Sequence, residues 1–403
     1  MWLKIRPQEP LILGEVRAGS QYLVTQTYLP GRVVRGAWVE WLLRHGADDA
    51  QILETVAAIR LGNFFPAVDW QTMEYALPLP MSAASCKRSG GFASEPLPRY
   101  QGHGVVDTLL PLLAYRLMER AGAQFTAPFA LTCAKCGDRM EPIGGFYAAY
   151  QRGQHRHYAQ FRPRYHAQTK VGMSRHRRAS AEQMLYTASA LSPRTPGLNE
   201  EGEETGLVLL GRVHGDEQAV QRLKEALSHM AVGALHTRGY GRVEVQGAEV
   251  RLHPLKDRLK AFNDALARLW EDIRRLAANA HEVPQTPDGT YFSVDLLSPG
   301  VFQKGGVPSL VPTLTIAGRK VEPTFWMTRP DMASGWSTAW GLPKPTNLAA
   351  RMGSVYVFHW AGPEADLFPA LQALEAEGVG ERRDESYGEC LICHPFHQEV
   401  EER

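Results

Sequence analysis

Twice along this 403-residue chain a helical pattern runs into a segment of glycines, arginine and an aromatic, and then into a strand. The first instance is Asp216–Met230 followed by Gly233-Ala-Leu-His-Thr-Arg-Gly-Tyr-Gly-Arg-Val-Glu-Val. The second is Glu364–Glu377 followed by Gly378-Val-Gly-Glu-Arg-Arg-Asp-Glu-Ser-Tyr-Gly-Glu-Cys-Leu-Ile. A supersecondary unit that recurs implies two similar cores, so the chain is expected to be a duplicated fold.

The elements around these segments support an α+β reading. Leu3 and Ile5 alternate with Lys4 and Arg6, and Tyr22 to Tyr28 is rich in β-branched and aromatic residues, so two strands are predicted first. After the turn at Pro30-Gly31, Val34, Ala37, Trp38, Trp41 and Leu42 form one apolar stripe of a helix that Gly46 can end. Leu207–Val213 and Gly241–Val250 read as strands flanking the first repeat helix. Leu259, Phe262, Leu266, Leu269, Ile273 and Leu276 mark a long amphipathic helix bridging two halves. Strands at Tyr291–Leu297, Val311–Ala317, Thr324–Met327 and Ser354–His359 then precede the second repeat helix, whose face carries Leu367, Leu371 and Leu374.

Between Pro78 and Gly145 the mixture of Pro, Gly, Cys and Ser, with one helix near Thr108–Arg120, reads as an insertion rather than a core element. Ser192–Gly206, with two prolines and four glutamates, reads as an exposed loop. No run approaches the roughly 20 apolar residues of a membrane helix, and the start lacks a signal-peptide core, so a cytoplasmic protein with no membrane partner is expected.

The net charge of +1 hides a local imbalance. No acidic residue lies between Glu141 and Glu182, yet that stretch carries Arg152, Arg156, Arg162, Arg164, Lys170, Arg175, Arg177 and Arg178, with four histidines and Tyr150, Tyr158, Phe161 and Tyr165 between them. Interleaved cations and aromatics suit phosphates and stacked bases, the alternative being a solvated basic loop. In Thr237-Arg-Gly-Tyr-Gly-Arg242 the glycines would let backbone approach a phosphate, Arg238 and Arg242 supply charge, and Tyr240 could stack on a base; the alternative is a plain hairpin turn.

These loops carry a family resemblance. The segment around Tyr240 resembles the glycine-rich loop of the RAMP superfamily of CRISPR-associated proteins, and Leu29-Pro-Gly-Arg-Val-Val-Arg-Gly-Ala37 resembles the segment that opens their first helix. Lys170–Tyr186, Trp336–Pro343 and Gly380–Gly388 sharpen the likeness to the type III-D effector subunits of the Csx-ten group, relatives of the Cas-five crRNA-capping proteins.

The resemblance implies two tandem ferredoxin-like (RRM-like) domains: residues 1–254 with an insertion at about 78–205, a linker helix at 255–290, and residues 291–403. It implies a non-catalytic subunit that binds the 5′ repeat handle of crRNA and contacts a large polymerase-like subunit and RAMP backbone subunits, meeting target RNA only indirectly. The RNA-binding set expected is Arg32, Arg35, Arg162, Arg164, Lys170, Arg175, Arg177, Arg178, His236, Arg238, Tyr240, Arg242, Arg382 and Arg383. Arg35 is expected in the first turn of its helix, where backbone N–H groups and the dipole favour phosphate, the alternative being a structural salt bridge. The second loop departs from the family pattern, with Ser386 for the expected glycine and Glu389 for the expected basic residue, which lowers its expected share in RNA binding.

Five cysteines are too few for a disulfide scaffold. Cys133-Ala-Lys-Cys136 has zinc-knuckle spacing and needs two more ligands, for which Cys86 and His103 of the same insertion are candidates; the resemblance includes these positions, and a structural Zn2+ is expected. A metal-free pair or other ligands are the alternatives. Cys390 and Cys393 fall in a strand-like run and read as packing, with His394 and His397 leaving a lesser metal reading. No histidine falls in a recognisable catalytic frame. An endoribonuclease acting through His236 or Tyr240 is the runner-up, and target cleavage would need an exposed acid, for which Asp107 and Asp331 are the available residues.

Overall fold

Alternation in Trp2–Pro7 buries Leu3 and Ile5 and turns Lys4 and Arg6 outward, making this strand the centre of an antiparallel sheet. The computed structural model describes residues 1–14, 22–69, 72–93, 102–196, 204–337 and 341–400. Trp2–Pro7 pairs with Glu204–Gly215 on one side and Val243–Ala248 on the other, and Glu204–Gly215 pairs in turn with Ile59–Val68. Numbered in chain order, these four strands lie side by side as 2-3-1-4.

A second antiparallel sheet has the same order. Thr290–Leu296 is central, flanked by Val355–Trp360 and Cys390–Ile392, with Phe325–Met327 outside Val355–Trp360. The duplication expected from the repeated segments therefore extends to strand order and direction.

The helical layers differ. Over the first sheet lie α1 (Gly31–Arg44) and α4 (Glu217–His229), which touch each other. Asp216 caps α4 by accepting from Ala219 N at 2.9 Å, and α2 (Asp49–Ala57) opens with a capping box of Asp48 and Gln51. In the second half, hairpins occupy the connection where α1 stands in the first. Its helices are α6 (Glu364–Glu377), between strands three and four, and two earlier in the chain, α3 (Leu109–Arg120) and α5 (Leu255–Arg274). Leu109, Leu113 and Met118 of α3 and Leu259, Phe262 and Leu266 of α5 share one core with Phe292, Val294 and Phe358. The helix read as part of an insertion is thus a core element, because its apolar face meets that of α5.

The acid-free stretch forms strands rather than a loop. Phe146–Arg152 and His155–Phe161 extend a sheet with Met73–Pro78, and Tyr165–Ser174 pairs with Ala179–Leu191 in a long hairpin. Other expectations shrink. Of Tyr22–Tyr28 only Tyr22–Leu23 is strand; beyond it Thr25 makes a single bridge with Gly14, and its hydroxyl accepts from the Leu13 amide at 2.8 Å. Val311–Ala317 reduces to Leu314–Ile316. Within Ser192–Gly206, Arg194–Pro196 pairs with the start of Glu204–Gly215, and residues 197–203 lie outside the described residues, as do 338–340 of Trp336–Pro343. No described helix is long and apolar enough to cross a membrane. The C-terminal helix α7 (Phe396–Glu399) crosses back to the first half, where Glu399 meets Tyr75 and Arg156.

Candidate nucleic-acid interface and metal centre

The two repeat loops have one backbone. Gly233 through Gly241 and Gly380 through Gly388 are each nine residues. Both pass through a positive-φ glycine, a left-handed third residue (Leu235, Arg382), a 3-10 turn (His236–Arg238, Arg383–Glu385), a left-handed seventh residue (Gly239, Ser386), a buried tyrosine (Tyr240, Tyr387) and a last positive-φ glycine. The departure at Ser386 thus sits at a left-handed position, φ 64°, that glycine would occupy without strain.

Their surroundings diverge. In the first loop His236, Arg238 and Arg242 are exposed, and His236 Nε2 donates to the Gly233 carbonyl at 2.6 Å. Tyr240 is not available to stack on a base: its ring is in the interior, under the Lys170 ammonium at 5.0 Å, and its hydroxyl donates to Gln168 at 2.8 Å. Arg238 donates to the Tyr186 hydroxyl, so the loop lies against one face of the long hairpin.

The second loop is turned inward. The Arg382 guanidinium is held by Glu385, Asn347 and the Ala333 carbonyl, and Arg383 pairs with Glu377 at 3.2 Å. Glu389 is an internal acceptor for the Asn63 amide (2.7 Å) and for Arg212 (3.3 Å).

Arg35 is the fifth residue of α1, not in its first turn, and donates to the Asp384 carbonyl, with the Asp384 carboxylate 3.6 Å away. Arg32 lies over the Tyr387 ring at 5.3 Å. Two arginines near a helix N-terminus oppose the helix dipole. The second loop offsets this with a carboxylate, a carbonyl and an aromatic face.

Between the two halves runs a groove of about 1980 Å³. Of the expected residues it collects Arg32, Arg35, Arg162 and His236. It leaves out Arg164 and Lys170 along the hairpin, Arg175, Arg177 and Arg178 exposed at its turn, and Arg238, Arg242, Arg382 and Arg383 in the loops. Of Arg152's side chain nothing is described. Three groove cations, Arg329, Lys344 and Arg351, are not distinguished by sequence pattern; Arg329 and Arg351 meet only because the Arg351 amide donates to the Arg329 carbonyl at 2.9 Å. Lys344 pairs with Glu385, whereas Arg162, Arg329 and Arg351 have no ion-pair partner among the described residues. Tyr165 from the first half and Trp336 from the second also line the groove, and each is about half exposed.

Of the two acids considered for cleavage, Asp331 lines the groove and Asp107 does not: its carboxylate is buried 3.1 Å from His397 Nδ1. His397 Nε2 lies 2.8 Å from Asp295. Burial alone would lower the His397 pKa, but the two carboxylates push it up to about 10. Burial pushes the neighbouring His394 down to about 3 and the Cys390 thiol up to about 12. This region is packing, as expected for Cys390 and Cys393.

Cys86, His103, Cys133 and Cys136 converge, their ligand atoms all within 4.8 Å of one another. Cys86 and Cys136 sulfurs are 3.4 Å apart, and Cys133 Sγ is 3.6 Å from His103 Nδ1. Ligands about 2.3 Å from a tetrahedral ion stand about 3.8 Å apart, so four soft donors at these spacings fit Zn2+. The turn is closed by the Cys133 amide donating to the Asp138 carbonyl at 2.7 Å and the Gly137 amide donating to the Cys133 carbonyl at 2.8 Å. Burial would raise the Cys133 thiol, but the backbone N–H groups of Lys135 and Cys136 hold it below the ordinary thiol range; the Asp138 backbone would lower its neighbour Cys136, but burial and the adjoining Cys86 and Cys133 raise it.

The family model described as CRISPR-associated protein (Cas_Cmr3) matches residues 162–395, more than half of the chain. No curated protein matches it. Among solved structures, a chain of the Type III-B Cmr-beta bound to cognate target RNA and AMPPnP is 12% identical, with 89% of this chain and 86% of that chain covered and a TM-score of 0.43. A chain of the Csm3-Csm4 subcomplex of the type III-A CRISPR-Cas interference complex is 12% identical over 88% and 92%, with a TM-score of 0.32. A Cas6 product complex is 13% identical over 47% and 79%, with a TM-score of 0.25.

Proposed function

We propose, from the premise that this chain belongs to the CRISPR-associated protein (Cas_Cmr3) family, that it is a non-catalytic RNA-binding subunit of a type III effector complex, of the type III-D Csx-ten kind. It acts in the cytoplasm, binds the 5′ repeat handle of crRNA, contacts a large polymerase-like subunit and RAMP backbone subunits, and meets target RNA indirectly.

The observation that carries the reading is the composition of the groove. Arg162, Arg329 and Arg351 are exposed and unpaired by any described acid, so they can neutralise phosphates, while Tyr165 and Trp336 offer one ring from each half for base stacking. A single-stranded segment suits this better than a duplex, because unstacked bases can reach both rings. The exposed Arg175, Arg177 and Arg178 at the hairpin turn extend the cationic path beyond the groove.

We read residues 1–254 and 291–403 as tandem ferredoxin-like domains joined through residues 255–290, supported by the shared 2-3-1-4 strand order. We also read the Cys86, His103, Cys133 and Cys136 cluster as a structural Zn2+ site that fixes a loop-rich segment with little core of its own. Against an endoribonuclease stands His236, whose Nε2–H is spent on the Gly233 carbonyl with no second general acid or base beside it among the contacts described.

The test is to purify the tagged protein from its native host and sequence the RNA that accompanies it from the 5′ end. Short RNAs sharing one repeat-derived 5′ handle, together with companion proteins, are expected. Bulk RNA of no common end, or none, overturns the reading.

A further inference from the structure

The two glycine loops share a backbone and differ in what their outer face meets. In the first, His236, Thr237, Arg238 and Gly239 face solvent. In the second, Arg383 and Asp384 stay exposed, but Glu385 is half-buried and Ser386 is buried against the other half of the chain. Asn63, almost fully buried, is the centre of this closure. Its side-chain amide donates to the Ser386 carbonyl at 2.9 Å and to Glu389 at 3.1 Å, its oxygen accepts from the Gly31 amide at 3.2 Å, and its own backbone amide donates to Glu389 at 2.7 Å. The Ser386 hydroxyl donates to the Leu61 carbonyl at 2.8 Å.

Two glycines make the approach possible. A Cβ on Gly31 would stand 2.4 Å from Ser386 Oγ, and one on Gly62 would stand 2.5 Å from Glu389 Oε1.

We propose that this Asn63–Glu389 clasp is a positioning device that fixes the floor of the groove and so holds its two walls at the spacing RNA needs. The proposal rests on the RNA reading of the groove given above. Arg32, Arg35, Asp384, Glu385 and Tyr387 all line the groove, and all are carried on the two segments the clasp joins, the first turns of α1 and the second loop.

The departure at position 389 has a physical reason within this account. Its counterpart in the first loop is Arg242, which points to solvent. At 389 an arginine would face the buried Arg212 guanidinium and the Asn63 donors with no acceptor to offer, whereas glutamate accepts from all of them. The second loop has exchanged an outward cation for an inward anion, and with it a surface role for an internal one.

The experiment uses the full chain with a fluorophore pair introduced through unnatural amino acids at Leu43 and Met332, exposed residues on the groove lining. Asn63→Asp sets two carboxylates against each other without changing shape, and Glu389→Gln, which keeps an acceptor, is the milder variant should the first not fold. Energy transfer is expected to show one narrow distance distribution for the wild type, a broader or longer one for N63D, and a return toward wild type in N63D/E389Q. Affinity for a single-stranded RNA is expected to fall by about tenfold or more in N63D, with the slope of log K against log salt unchanged, because no phosphate contact is lost. A wild-type distance distribution in both N63D and E389Q, or a changed distribution with unchanged RNA affinity, overturns the proposal. Should the wild-type chain bind no RNA, it is the RNA reading that fails, while the distance measurement still decides whether the clasp sets the width of the groove.

Discussion

Arg258, in the first turn of α5, places Nη2 between the two carboxylate oxygens of Glu375 of α6, at 2.7 and 2.9 Å, and donates through Nη1 and Nε to the carbonyls of Ile392 and His253. Nearly all of its side chain is buried. One guanidinium thus ties α5, α6 and the last strand of the second sheet. Arg258→Ala would leave two carbonyls without this donor and the Glu375 carboxylate without its cation, with only the Ile392 amide still donating to it, and is expected to cost about 3–5 kcal/mol, read as a lower denaturant midpoint. R258K restores the charge but not the fork, so it is expected to recover only part of the loss.

Stability should fall on the alkaline side because of His397. Its folded pKa, raised to about 10 by Asp295 and Asp107, exceeds the ordinary value of 6.5. The stabilisation is therefore complete below pH 6.5 and lost as pH rises through about 10. One proton held only by the folded state gives a slope of about −1.4 kcal/mol per pH unit between roughly pH 7.5 and 8.5, before thiol ionisation adds to it. Denaturation at several pH values should show this slope in wild type and a flatter line in H397Q.

Below pH 6.5 the sign reverses through His394. Burial holds its folded pKa down at about 3, so the unfolded chain takes up the proton first and stability declines as pH falls toward that value. His394→Phe should make the acid-side decline shallower while leaving the alkaline limb in place, measured in the same series; the rest persists because burial also holds His214 down, to about 4.

The cysteine cluster predicts one zinc per chain by elemental analysis, with Cys86, Cys133 and Cys136 unreactive to a thiol reagent in the native state. A strong chelator should release the metal, expose those three thiols and open the segment around Cys133 to proteolysis. Cys133→Ser should do the same without chelator. Cys390 and Cys393, held in the core, should stay protected in both cases.

Groove contacts separate into two kinds by salt. Arg162→Ala, Arg329→Ala and Arg351→Ala should each lower the slope of log K against log salt by about 0.7, the value for one single-stranded phosphate. Trp336→Ala should instead cost about 1–3 kcal/mol of affinity at constant slope, the signature of a lost stacked base.

Local pattern was enough for much of the fold. Period-two alternation in Trp2–Pro7, the apolar stripes of α1, α4 and α5, and the paired helix–loop–strand endings are set within a few residues, so two similar α+β units could be read directly. Part of the cysteine cluster was legible for a similar reason, since Cys133 and Cys136 lie one turn apart, whereas Cys86 and His103 were added from the same insertion and the family resemblance. What tertiary contact decided is where each charged or aromatic loop residue points. Arg35, Tyr240 and Arg382 look like an RNA surface by type, yet Asp384, Gln168 and Asn347, 349, 72 and 35 residues away in the chain, claim them. Arg329 and Arg351 look like ordinary surface cations until two paired strands bring them to one groove. Hydrophobic periodicity is a property of neighbours in sequence, whereas the partner of a polar group is chosen by whichever segments the fold brings within about 3 Å, and that choice is made only when the two halves close on each other.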